Sequence, residues 1–143
     1  RFFYVINELD STVTAFSYDG DEGRLTPLQT VTTLPRGFTD TNYCADIHIH
    51  PSGRYLYGSN RGHDSIVSYR VDPSTGYLDP ANHYSTCGRT PRSFAIDTGG
   101  SFLIVANQDS DNIVVFRIDE RSGDLRQISE LTGVPTPACV KVM

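Results

Sequence analysis

The chain has 143 residues, of which 12 are basic and 17 acidic, for a formal net charge of −5. The basic residues are scattered, with no run of four, so the concentrated positive footprint of a nucleic-acid binder is missing. No apolar stretch approaches the roughly 20 residues of a membrane-spanning helix, so neither nucleic acid nor membrane is expected as a partner.

Strand signals dominate from the start. Residues 2–6 form a short aromatic and β-branched run, and residues 13–18 form a second. Residues 19–23 are an Asp/Gly hairpin loop that reaches Gly23-Arg24-Leu25. Residues 28–33 are more polar, as suits an outer, solvent-facing strand. A long link, residues 34–44, leads to a fourth kind of strand at 45–50, which ends in the turn His50-Pro51-Ser52-Gly53. The series then repeats: strands at 55–59 and 66–71, a loop at 72–76, an outer strand at 83–87, a link at 88–92, and an inner strand at 93–97. A third round gives strands at 102–106 and 113–118, a loop at 119–123, an outer strand at 127–131 and a last strand at 139–143. No window carries a 3.6-residue apolar period, so helix should be scarce.

The loop glycines Gly23, Gly76 and Gly123 are 53 and then 47 residues apart, each followed two residues later by Leu25, Leu78 or Leu125. Val13, Ile66 and Ile113 match across the units, as do Phe16, Tyr69 and Phe116, which are expected between neighbouring units. A period of this size is the signature of stacked sheet units such as propeller blades. The predicted fold is all-β: a fragment of a β-propeller with about three four-stranded antiparallel blades. Residues 1–43 form a partial blade and link, 44–87 a blade, 88–136 a blade, and 137–143 a closing inner strand. Closed rings usually have about 4–8 blades, so further blades of the same protein, upstream of residue 1, are expected as its partner.

Cys44, Cys87 and Cys139 are too widely spaced for a disulfide scaffold or a zinc site. They read as small buried hydrophobes with reduced thiols, which suits the cytoplasm.

Several segments together carry a family resemblance: Asn7-Glu8-Leu9-Asp10-Ser11, Ala45-Asp46-Ile47-His48-Ile49, Pro51-Ser52-Gly53-Arg54-Tyr55-Leu56-Tyr57, Asn60-Arg61 and Thr90-Pro91-Arg92-Ser93-Phe94. In this order and spacing they resemble the bacterial-type 6-phosphogluconolactonase family, which also contains fungal muconate-cycloisomerising propellers. The resemblance covers nearly the whole chain and fits the C-terminal part of such a protein. It implies a seven-bladed ring. It also implies one of two activities, opening of a six-membered sugar lactone or interconversion of a carboxylated muconate and its lactone, although a shared fold does not fix chemistry.

The residue after each repeated asparagine differs between units. Asn7, Asn60 and Asn107 are equivalent and read as strand-end brackets, while Glu8, Arg61 and Gln108 follow them. An acid, a base and an amide at one repeated position suggest a shared, asymmetric environment; the alternative is ordinary loop-end polarity. Glu8 can act as general base and then general acid in lactone opening, and the resemblance matches it to a family active-site carboxylate. Arg61 offers a donor fork to a substrate anion or a growing oxyanion, and the resemblance matches it to an arginine of the family pocket. His48 shares a strand face with Asp46, which can orient it, and resembles the family histidine of the Ala-Asp-Ile-His run. His48 and His50 also look like a metal pair, but no third ligand has suitable spacing. The expected catalytic set is Glu8, His48 and Arg61. The expected substrate-binding set is Arg92, Asn7, Asn60 and Gln108, with no metal and no cofactor. The expected reaction is metal-independent hydrolysis of a small anionic lactone such as 6-phosphogluconolactone. Carboxymuconate cycloisomerisation and a non-catalytic binding scaffold are the alternatives.

Overall fold

A computed structural model describes residues 1–143, the side chain of Ala81 excepted. Eleven strands run in chain order: β1 Phe2–Asn7, β2 Thr12–Asp19, β3 Arg24–Thr32, β4 Tyr43–Ile49, β5 Tyr55–Arg61, β6 Ser65–Val71, β7 Leu78–Ser85, β8 Pro91–Ile96, β9 Phe102–Asn107, β10 Asn112–Ile118 and β11 Leu125–Thr132. They form three antiparallel sheets, β1-β2-β3, β4-β5-β6-β7 and β8-β9-β10-β11. This is the part-propeller expected, its first blade having three strands. The one helical element described is a 3-10 turn, Gln108–Ser110. Among the described residues, no helix is long and apolar enough to cross a membrane.

The hairpins are built the same way in each blade. Asp19 Oδ1 accepts the amides of Asp21 and Glu22, at 3.0 and 3.2 Å. Asp72 Oδ1 does this with Ser74 and Thr75, and Asp119 Oδ1 with Arg121 and Ser122. The aspartate thus supplies the acceptor that the reversing backbone lacks. The closing glycines, Gly23, Gly76 and Gly123, have φ of 65°, 73° and 77°, where a Cβ is strained. Gly123 has a second constraint: a Cβ there would lie 2.5 Å from Tyr55 Cδ1 of the neighbouring sheet.

The sheets stack through two apolar layers. Val13, Leu56, Val67 and Tyr69 join the first two blades, and Tyr57, Ile66, Phe94, Val105 and Phe116 join the second and third. Tyr4 Oη donates to the Gly76 carbonyl at 3.0 Å, and one repeat later Tyr57 Oη donates to the Gly123 carbonyl at 2.8 Å. The hairpins of the second and third blades are thereby tied to the sheet before them.

Phe16 departs from the expected equivalence. Tyr69 and Phe116 are buried between sheets, but Phe16 is only partly covered and meets Phe3 on the outer face of the first blade, 6.3 Å between ring centroids. Its layer has no second sheet among the described residues. All three residues do share one local feature, a β-bulge, between Ala15 and Phe16, Ser68 and Tyr69, and Val115 and Phe116.

Residues 137–143, expected as an inner strand, form none among the described residues. A strand needs a ladder partner, and none lies beside them. Their position is nonetheless informative. The Val140 amide donates to Ser93 Oγ at 3.2 Å, just as the Phe94 amide donates to Asp46 Oδ2 at 3.1 Å one repeat earlier.

Candidate functional site

The repeated asparagines close the inner ends of the blades. Asn60 Nδ2 donates to the Thr33 carbonyl at 2.8 Å, and Asn107 Nδ2 to the Thr86 carbonyl at 3.0 Å. Asn7 Nδ2 instead reaches Thr12 and Thr14 Oγ1, both at 2.9 Å. Asn60 is wholly buried, and its Oδ1 accepts from Asn42 Nδ2 at 3.2 Å. This corrects the expectation for Asn60: its amide is engaged by the fold and has no surface for a ligand. The recurring threonine acceptors were not picked out from the sequence, although Thr33 and Thr86 stand at matching ends of the outer strands.

Pinning these strand ends aims the next residue out of the sheet. Glu8 and Arg61, from adjacent blades, meet in an ion pair between Oε1 and Nη2. The Arg61 side chain is 19% exposed and that of Glu8 is 59% exposed. Arg61 Nη2 also donates to the Cys44 carbonyl at 3.1 Å, and its guanidinium carbon lies 5.9 Å from the Tyr43 ring centroid. Its Nε is buried without a hydrogen-bond partner. A guanidinium fixed by the Glu8 carboxylate and the Cys44 carbonyl, partly open to solvent beside an accessible carboxylate, can hold an anion next to a proton acceptor. Gln108 opens the 3-10 turn, where its amide donates to the Thr90 carbonyl at 2.9 Å. Its side chain makes no hydrogen bond among the described residues.

A second pair lies on the innermost strand β4. His48 Nε2 is 3.2 Å from Asp46 Oδ1. The imidazole stands edge-on to Phe94 of β8, 4.8 Å between centroids. Asp46 Oδ2 accepts from Ser93 Oγ at 3.0 Å and from the Phe94 amide at 3.1 Å, which bridges β4 to β8. Burial alone pushes the Asp46 carboxyl up, but His48, the Phe94 amide and Ser93 outweigh it and hold the group below its ordinary value. A depressed carboxyl stabilises the fold above its unfolded value of about 3.9, and that contribution is lost as pH falls through the lower folded value. Exposed Asp72, Asp119 and Asp124 are shifted the same way, so a comparison is needed. Asp46→Asn should show a shallower loss of stability below about pH 4 than wild type in urea titrations at stepped pH. Equal slopes would remove Asp46 from the acid response.

Arg92 is exposed on β8, at the bulge between Pro91 and Ser93, with no ion pair or side-chain hydrogen bond among the described residues. The structure therefore brings Glu8 to Arg61 and His48 to Asp46; among the described residues, no hydrogen bond or ion pair joins the two pairs to each other or to Arg92. The cysteine expectation needs correcting: only Cys44 is buried, whereas Cys87 and Cys139 are exposed free thiols. Cys87 lies in the link between β7 and β8 and Cys139 in the segment after β11, and neither joins an apolar layer. His50, just past the end of β4, is instead engaged by Ser52 Oγ and the Gly100 carbonyl, each at 2.8 Å. Among the described residues, no three His, Cys, Asp or Glu side chains cluster so as to hold a metal ion.

Comparison with known proteins gives a consistent result. Residues 1–142 match the family model for lactonases of the seven-bladed β-propeller type. The 6-phosphogluconolactonase of Bacillus subtilis is 36% identical over the whole chain, which covers 41% of that protein. The 6-phosphogluconolactonase of Pectobacterium carotovorum is 40% identical, again over the whole chain and 43% of its own length. Among solved structures, the periplasmic gluconolactonase of Pseudomonas aeruginosa superposes with a TM-score of 0.90 at 38% identity, over 96% of this chain and 38% of that one. The chain thus spans about two fifths of the length of these relatives.

Proposed function

Because the chain belongs to the lactonase family of seven-bladed β-propellers, we propose that the intact protein hydrolyses an anionic sugar lactone such as 6-phosphogluconolactone. In this reading the 143 residues are the C-terminal part of the ring, and upstream blades complete the pocket. The observation that carries it is the meeting of Glu8 and Arg61 from two blades in a chain that matches lactonases along its whole length. Its partner is a small anionic lactone.

The mechanism is acid–base. Water attacks the lactone carbonyl while Glu8 or His48 takes its proton. Arg61 stabilises the oxyanion, and Arg92 adds positive field for the substrate's phosphate or carboxylate. The tetrahedral intermediate collapses with cleavage of the ring C–O bond. The leaving alkoxide takes back a proton from the same base, which leaves a hydroxy acid.

The test is lactone-opening kinetics on the intact protein, corrected for spontaneous hydrolysis. A rate above background on the phosphorylated sugar lactone supports the proposal. Activity confined to a carboxymuconate lactone would favour cycloisomerisation. No rate on either would favour a binding scaffold.

A further inference from the structure

We infer that Asp46 is a positioning residue for His48: braced from the neighbouring innermost strand, its carboxylate fixes the imidazole as the Nε2–H tautomer and leaves Nδ1 as the basic atom. This deepens the proposed function and rests on His48 taking part in it.

The repeat isolates Asp46. Asp46, Ser93 and Cys139 occupy matching places, two residues past Cys44, Pro91 and Pro137. Only the first is ionisable at neutral pH with both oxygens as acceptors. It sits in a bulge of β4 between Cys44 and Ile47, and its own amide is held by Ser59 Oγ of β5 at 3.0 Å. A bulge is a common device for re-aiming a side chain next to a working site.

Four donors then converge on one carboxylate. Oδ1 takes the Ile47 amide at 3.0 Å and His48 Nε2 at 3.2 Å, while Oδ2 takes Ser93 Oγ at 3.0 Å and the Phe94 amide at 3.1 Å. Ser93 is itself oriented: its oxygen accepts the Val140 amide at 3.2 Å, which leaves the hydroxyl proton for Asp46. An ionised carboxylate only accepts, so the hydrogen between Asp46 and His48 belongs to Nε2. A neutral imidazole has one N–H, so Nδ1 carries the lone pair. Nδ1 has no hydrogen-bond partner among the described residues. Phe94, edge-on at 4.8 Å, limits rotation of the ring.

The rival explanation is that Asp46 only staples β4 to β8. A staple would not select a tautomer, so the tautomer is the discriminating measurement. Histidine labelled with 15N is observed in the intact protein by long-range 1H–15N correlation, in wild type, Asp46→Asn and Ser93→Ala. Wild-type His48 is expected as the Nε2–H form. Asp46→Asn, whose amide can donate as well as accept, is expected to mix the two forms, and Ser93→Ala to do so in part. On the lactone, Asp46→Asn should lower kcat by up to the roughly 10²–10⁴-fold that a general base supplies, with KM within about twofold. An Nδ1–H form in wild type, or an unchanged tautomer in a folded Asp46→Asn, would overturn the inference whatever the activity. A full rate in His48→Gln would instead sink His48's part in the proposed function while the tautomer result stands.

Discussion

Phe116→Ala should destabilise the chain by about 3–5 kcal/mol, while the matching change Phe16→Ala should cost roughly 1 kcal/mol or less. The two residues hold the same place in the repeat and the same bulge, so local propensity cannot separate them. Burial does. Phe116 is 3% exposed in the layer between the second and third sheets, and truncating it leaves a cavity in the cluster it shares with Tyr55, Tyr57 and Phe94. Phe16 faces outward beside Phe3, and its loss removes little shared surface. The measurement is the shift in urea midpoint and slope for each variant of the 143-residue chain. A second arm uses the intact ring of the proposed function, in which another blade covers Phe16. There the cost of Phe16→Ala should climb toward that of Phe116→Ala. Equal costs in the isolated chain would mean that the outer face of the first blade is already covered, for example by self-association.

The blades were legible because each local signal repeats with a physical cause. The hairpin aspartates and glycines were read correctly since one side-chain acceptor and one positive φ suffice to reverse the chain. The outer strands were read too short. β3 begins at Arg24 and β7 at Leu78, not at residues 28 and 83. Their first halves carry Pro27 and Pro80, which a central strand would not tolerate, but both lie on the sheets' outer edges beside a bulge, where a missing N–H costs little. The last inner strand, at residues 139–143, could not be judged from its sequence, because strand formation depends on a partner.

The candidate site was legible only where the repeat breaks its own pattern. Glu8 and Arg61 stood out as unlike residues at one repeated position, and the fold joins them because that position recurs at the same height on adjacent blades. The Asp46 brace was only half visible. Its pairing with His48 follows from strand alternation, but Ser93 and Phe94 reach it from 47 and 48 residues away, through inter-blade geometry that no local pattern encodes.

Glu8→Gln in the intact protein should depress lactone turnover about 10²–10⁴-fold, since the amide keeps the shape but can neither take nor return a proton. Arg61→Ala should also impair turnover, and more strongly for phosphorylated or carboxylated lactones than for neutral ones, because the lost fork serves negative charge. The two changes should not be additive. Glu8 and Arg61 are in direct contact, so removing either leaves the other without its ion-pair partner and free to move. The double variant should therefore lie close to the worse single variant, and its kcat/KM gives the coupling between them. Initial rates on charged and neutral lactones, corrected for spontaneous opening, distinguish the roles. A wild-type rate in Glu8→Gln would leave His48 as the remaining base. Equal losses on charged and neutral substrates in Arg61→Ala would assign Arg61 to the oxyanion common to both, not to the substrate's own anion.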